Sequence, residues 1–409
     1  MKKIKSYIGI ACMVCLVSCM PNASNQVQSL TLNNSSSADF NGVVNLQADS
    51  LLAQKGSAVV IKAGQTILPS QWSDTDGDGT VDVLSIETHL KAGDAQSLTL
   101  ISSSELAKQV TVKKTQAELW HKTTGKFKDG KYVGGGNFSR FDSLRVPDGF
   151  TDHAYFIKYE GPGWESDKVG YRLYLDWRNA IDVFGKRTAE PVLHQVGLDG
   201  YESYHHLQDW GMDVLKVGKS LGIGSTAWWD GEKAIRVEQT DSVSCKILSD
   251  DNLRSQVRIW YNGWQLQDEK VNIISLKSID AGSRMTREYL SFNKPVANIC
   301  TGIRKEPDTE KISLISAAQQ WGCLATWGAQ SLNNDQLGLA IIYPLLYETK
   351  ITEDEHSHVV VFQKASKNVE YYFLAAWELE QNGITSREAF VSYLDEQLTL
   401  LEQPVTCIY

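Results

Sequence analysis

Between Tyr159 and Trp229 the chain crowds side chains that hold and transform polar ligands. Trp164, Glu165, Arg172, Asp176 and Arg178 come first; Tyr204, His205, His206, Asp209, Trp210 and Asp213 follow, and a glycine-rich run leads into Trp228 and Trp229. Flat apolar sugar faces stack on indole rings, while carboxylates and guanidiniums bond hydroxyl and acidic groups. The mixture therefore predicts a sugar site with Trp164, Trp210 and Trp229 as stacking walls. Glu165, Arg172, Asp176 and Asp209 would be its polar contacts. The structural alternative is a β-core whose Tyr and Trp tips are internally satisfied.

Two chemistries fit these residues. Elimination from a uronic acid removes the proton beside the carboxyl group, which needs a base and a clamp that neutralises the growing enolate charge. His205 is the candidate base, Tyr204 the acid for the leaving oxygen, and Arg172 and Arg178 the planar clamps. Adjacent strand residues face opposite ways, so only one of His205 and His206 can enter a shared pocket. If Tyr171 to Trp177 continues as one strand, Arg172, Tyr174, Asp176 and Arg178 share a face, either as a pocket wall or as a solvated row of cross-pairs. Hydrolysis needs two carboxylates flanking the bond, and Glu160, Glu165, Asp167, Asp209 and Asp213 are available. A non-catalytic sugar-binding protein would need only the aromatics and the hydrogen bonders.

The elements that must carry these groups read as β-structure throughout. From 29 to 114, short apolar runs (Val43-Val44, Ala58–Ile61, Val83–Ile86, Ser97–Ile101, Val110–Val112) alternate with Gly, Asn, Asp and Ser, which predicts a small immunoglobulin-like sandwich. Within it, Asp74, Asp76, Asp78 and Asp82 surround Gly77 in the manner of a calcium loop, although the twelfth position is Ser85 rather than the usual bidentate Glu. Tight turns call for the same residues. Calcium is the one cofactor this motif suggests.

Residues 115–409 read as one large all-β domain, a two-sheet supersandwich of the galactose-mutarotase type, with strands expected at Phe156–Tyr159, Tyr171–Trp177, Val257–Trp260, Val271–Leu276, Leu339–Tyr343, Val359–Phe362 and Glu370–Trp377. One helix stands out near the carboxyl end. Thr385 and Glu388 have capping-box spacing, and Phe390, Tyr393, Leu394, Leu398 and Leu401 recur at helical intervals.

The first nineteen residues combine Lys2, Lys3 and Lys5 with an apolar run, Tyr7 to Val17, too short for the ~20 residues of a membrane span. The ending Leu16-Val17-Ser18-Cys19 predicts a lipoprotein signal peptide lipidated at Cys19, with 20–28 as a polar tether. The expected location is the periplasmic face of the outer membrane, with the lipid anchor as a partner. Cys245, Cys300, Cys323 and Cys407 lack metal-ligand spacing and read as buried thiols. A net charge of −9 argues against nucleic acid as a partner.

Three blocks carry a further signal: Glu160-Gly161-Pro162-Gly163-Trp164-Glu165-Ser166-Asp167-Lys168, the run Tyr171 to Asn179, and Trp210-Gly211-Met212-Asp213-Val214-Leu215-Lys216-Val217-Gly218. With Gln71 to Asp82, they resemble the signature blocks of a lipoprotein family common in Bacteroidetes, domain of unknown function 4861. The resemblance implies a role in breaking down pectin-type, uronate-rich polysaccharide, because such proteins tend to be encoded beside pectin-degrading enzymes. It supplies no reaction. The expected function is therefore a lyase or glycoside hydrolase acting on uronic-acid oligosaccharides, with a non-catalytic carbohydrate-binding protein of a polysaccharide-utilisation system as the alternative.

Overall fold

The computed structural model describes residues 27–47, 51, 59–102 and 112–409. The leader, Cys19, most of the tether, and Ala58, Val110 and Thr111 lie outside the described residues.

Alternation of apolar and polar residues builds the small sandwich. Leu30 and Leu32, Val44 and Leu46, Leu84 and Ile86, and Leu98 and Leu100 are buried pairs two residues apart, each on one face of its strand, and they share a single core. One sheet runs in the order Thr406–Ile408, Val27–Asn33, Ala95–Ser102, Val59–Ala63, Thr66–Leu68; the other runs Phe40–Gln47, Val83–Leu90, Ser70–Ser73. Two features depart from the sequence reading. The first strand begins at Val27, so the tether expected over 20–28 ends inside a sheet. The last strand leaves the large domain and pairs antiparallel with the first, Leu32 opposite Cys407, which brings Val405 and Cys407 onto the small core.

The rest of the chain is an all-β sandwich, as its composition predicts. Its larger layer has nine strands, ordered Ser143–Arg145, Ser242–Asp250, Arg254–Leu266, Glu269–Asp280, Met285–Val296, Ser366–Trp377, Leu337–Pro344, Trp321–Gly328 and Glu310–Ile315. Against its inner face pack two five-stranded sheets. The first runs Gly211–Asp213, Ile181–Lys186, Val169–Leu173, Gly163–Glu165, Gln116–Glu118; the second runs Ala234–Arg236, Ala227–Trp229, Ile299–Arg304, Ser357–Phe362, Thr349–Glu353. Gly222 and Ile223 stitch the two together, bridging to Ile181 on one side and Ile303 on the other. Gly222 has φ 57°, and a Cβ there would lie 2.0 Å from the Ile181 carbonyl oxygen, so only glycine fits this seam. Val257, Ile259, Tyr261, Ile341 and Phe373 meet Tyr171, Leu173, Val183, Ile303 and Phe362 across the interlayer core.

The outer face of the nine-stranded sheet is covered at both ends. Helix Arg387–Glu402 lays Phe390, Leu394 and Leu398 over Cys323, Ala325, Ala340, Ile342 and Leu374. Its cap is Ser386, whose hydroxyl accepts from the Ala389 N–H at 3.2 Å, one residue later than the Thr385 box expected from sequence. The small sandwich covers the other end. Gln71 accepts from the Asn252 N–H at 2.7 Å, Ser73 donates to Asp251 at 2.9 Å, and Asn45 donates to Asp280 at 3.0 Å.

Candidate functional site

The hairpin Val169–Leu173/Ile181–Lys186 sets Arg172 directly opposite Asp182. On the neighbouring strand Asp213 lies opposite Phe184, two residues along from Asp182 and on the same face. The outcome is a buried polar cluster. Arg172 Nη2 donates to Asp182 Oδ2 at 2.6 Å, to Asp213 Oδ2 at 2.7 Å and to the Tyr174 hydroxyl at 2.8 Å; Nη1 reaches the Tyr204 hydroxyl at 2.8 Å. Tyr174 in turn donates to Asp182 at 2.6 Å. The second oxygens of the carboxylates accept backbone N–H groups, Val183 at 2.9 Å for Asp182 and Leu215 at 3.2 Å for Asp213.

Burial, reinforced by the neighbouring Asp213, pushes the Asp182 carboxyl up to about 6. A buried carboxyl that holds its proton this far up sits beside a guanidinium it shares with a second carboxylate.

This cluster reaches solvent through His205. A 3₁₀ turn, Ser203–His205, sets the imidazole Nε2 3.4 Å from Asp213 Oδ2, with the His205 side chain 39% exposed above a carboxylate only 2% exposed. The hydrogen bond and charge of Asp213 raise the His205 pKa against the opposing effect of burial. Tyr204 packs edge-on against His205, ring centres 4.7 Å apart. Burial raises its phenol above the ordinary value, so at neutral pH it remains a proton-bearing group.

A second guanidinium flanks the cluster. Arg178 stacks on Tyr174 at 3.9 Å from the ring centre and pairs with Asp176, Asp152 at 2.9 Å and Glu160 at 2.8 Å. Tyr174 thus lies between two arginines. Glu160 reaches Arg178 because Tyr159 and Glu160 take left-handed φ values of 36° and 71°, uncommon for residues with a Cβ, and costs of this kind gather at functional sites. Gly161 completes the turn; a Cβ there would lie 1.7 Å from the Leu173 carbonyl oxygen. Beyond Arg178, Tyr155 stacks on Tyr201 at 4.5 Å with planes 8° apart, and Trp177 is 49% exposed beside Arg236. On the other flank, Tyr204, Ser203, Gln208 and Trp210 line a shallow cavity of about 170 Å³.

The structure brings together Arg172, Arg178, Asp176, Tyr204, His205 and, at the margin, Trp210. It separates others. Trp164 is 1% exposed, stacked on Tyr171 with its indole N–H on Thr286 at 2.9 Å, and offers no face to a sugar. Glu165 is fully buried with Lys186 at 2.6 Å and accepts the Val192 and Leu193 N–H groups, holding a loop rather than a ligand. Trp229 belongs to a separate core with Cys300 and Val361. Asp209 is exposed, outside the ion-pair cluster. Arg172 was expected as a carboxylate clamp, but its donors are committed to Asp182, Asp213, Tyr174 and Tyr204, so it acts on Asp213 and His205 instead. The single strand expected through Trp177 ends at Leu173, and Asp176 to Asn179 is a turn. Phe156–Tyr159, expected as a strand, leads into the 3₁₀ turn Lys158–Glu160. Sequence reasoning missed Asp182 and Tyr155, whose partners depend on register and on that turn.

In the acidic loop, Asp74, Asp76 and Asp78 each offer an oxygen within 4.8 Å of the others. Asp82 turns away: its carboxylate takes the Thr75 N–H and hydroxyl, both at 2.8 Å, which removes it from the calcium set expected from sequence. Both oxygens of Asp74 accept loop N–H groups, from Gly77 and Gly79 at 2.7 Å. Cys245, Cys300 and Cys323 are free and buried, and Cys407 is free and half-buried.

A family model described as domain of unknown function matches residues 32–407, nearly the whole chain. The chain belongs to the DUF4861 family. A protein of Formosa agariphila described as uncharacterized protein P7 is 21% identical over 371 residues, spanning 84% of this chain and 82% of its own length. Among solved structures, an α-mannosidase from Enterococcus faecalis V583 superposes with a TM-score of 0.47 at 10% identity, over 93% of this chain and 46% of its own. A protein in glycosyl hydrolase family 38 from Enterococcus faecalis gives 0.45 at 8% identity, over 93% and 47%. The chain spans about half the length of these two structures.

Proposed function

We propose that this DUF4861 protein acts on uronic-acid-containing oligosaccharides as a proton-transfer enzyme of the elimination type, with His205 as the group that moves the proton. The observation that carries the reading is the geometry of His205: an exposed imidazole whose Nε2 faces a buried carboxylate, itself fixed by Arg172 and a backbone N–H. A solvent-facing histidine oriented from behind by a buried acid is the arrangement general acid–base catalysis requires. The Tyr204 hydroxyl accepts from Arg172 and is buried behind His205, so it steadies the cluster, and the proposed role as acid for the leaving oxygen would need it to be uncovered. The acidic-sugar class comes from the family resemblance rather than from the site. The binding-only reading has its own support, because Tyr155 and Trp177 present aromatic surface of the kind sugar-binding proteins use.

Incubating the leaderless protein with pectic and other uronic oligosaccharides separates these readings. New ultraviolet absorbance from unsaturated ends is expected, and His205→Ala should lower turnover by about 10²-fold or more. Affinity should change by less than about tenfold, or ~1.4 kcal/mol. Shortened products without absorbance would instead mark hydrolysis, and binding without product would mark a binding protein. We further propose that the chain is a lipid-anchored, periplasm-facing protein. Cys19→Ala should move it from the membrane to the soluble fraction.

A further inference from the structure

The outer face of the nine-stranded sheet holds a second polar cleft, walled on one side by the small sandwich. It consists of two cavities of about 370 and 420 Å³ that meet at Leu276, which lines both. Asn45 and Thr75 of the small sandwich line the first chamber, opposite Arg254, Gln256 and Ser278 of the large sheet. The His205 cluster belongs to the sheet packed on the other, inner face, so the cleft is a separate place on the molecule.

Two polar atoms in this lining have no hydrogen-bond partner: Arg254 Nε, a donor, and Gln256 Oε1, an acceptor. Gln256 is only 2% exposed, and its amide nitrogen reaches Ser278 at 3.5 Å. Buried polar atoms are almost always satisfied, so an orphan donor and an orphan acceptor two residues apart on one strand face ask for an occupant. A hydroxyl group donates and accepts at once, and so can answer both kinds of atom.

In the first chamber the charges are already paired: Arg254 with Asp280 at 3.1 Å and Arg287 with Glu370 at 2.7 Å, so the occupant needs no charge of its own there. In the second chamber Tyr289, Ile274 and Leu276 add an apolar wall beside Asp76 and Asp78. Hydrogen-bonding groups in one chamber and apolar and aromatic surface in the next suit a chain of sugar rings, which carry hydroxyl edges and apolar faces.

We propose that this cleft is a second oligosaccharide-binding site, distinct from the His205 cluster, which holds a polysaccharide segment through hydroxyl contacts. The ligand class rests on the sugar reading above; the location rests on the cleft itself. The test is calorimetric titration of the leaderless protein, in wild type and in the His205→Ala background, with a neutral galactose tetrasaccharide and a galacturonic acid tetrasaccharide. At least one probe should bind in both backgrounds, with Gln256→Leu and Tyr289→Ala each weakening it about tenfold and changing the salt dependence little. Ser278→Ala is a third variant should either fail to fold, as judged by thermal unfolding. Unchanged affinity in the folded cleft variants, or no binding of either probe to wild type, would overturn the proposal. Loss of binding with His205→Ala alone would assign the sugar to the His205 cluster and also overturn it. Cleft binding without turnover at His205 would leave the cleft standing and remove the enzymatic reading.

Discussion

His205, Asp213, Arg172 and Asp182 form a connected row, in which Arg172 joins two buried carboxylates and Asp213 faces the imidazole. A histidine with a raised folded pKa contributes stability that is fully present below the ordinary value of 6.5 and is lost as pH rises through the folded value. Nuclear magnetic resonance titration of His205 should therefore give a midpoint above 6.5, and Asp213→Asn should bring it back toward 6.5. Asp182 has the same sign for a different reason. Burial raises its pKa from 3.8 to about 6, so the folded chain keeps a proton that the unfolded chain releases. That contribution is present below the unfolded value and is lost as pH rises through about 6. Asp182→Asn should flatten the pH dependence of unfolding in that window. Removing the shared cation is more severe: Arg172→Met leaves two buried carboxylates without the cation they share, and a loss of about 3–5 kcal/mol is expected in denaturant titration. His205, Tyr204 and Arg172 were legible as candidates because their residue types are chemically suggestive. Their partner Asp182 was not, because the pairing is fixed by hairpin register, which no local pattern displays. Trp164 and Glu165 misled for the converse reason, since a buried core and a sugar site draw on the same aromatic and acidic residues.

At the scale of elements, period-two alternation revealed most long strands, and helical spacing revealed Phe390, Leu394 and Leu398. The turn at Lys158–Glu160 stayed hidden because Tyr159 and Glu160 adopt left-handed backbone without the glycines that usually mark it. Gly161 and Gly222 are two glycines whose places the structure explains. Gly222→Ala would drive a methyl group into the Ile181 carbonyl at a strained φ, and overpacking of this kind costs typically ~1–3 kcal/mol. The expected result is a lower denaturation midpoint, with faster hydrogen exchange at the bridges from Ile181 and Ile303 that hold the two five-stranded sheets together. Ser386→Ala should cost about 1 kcal/mol through loss of the helix cap, measured in the same way.

Across the whole molecule, a change in texture near residue 115 was readable in the sequence. The return of the last strand was not, because three residues, Thr406–Ile408, are too short to show a period. That return also decides when the small unit can be finished. Chains emerge amino terminus first, and early domains usually fold as they appear. Here Thr31–Asn33 finds its outer neighbour only when Thr406–Ile408 is made, after every other described strand. Until then Thr31–Asn33 is itself an edge, and open edges pair readily with other chains. The border of Thr31–Asn33 is therefore covered late, and the growing chain passes much of its assembly with that stretch exposed.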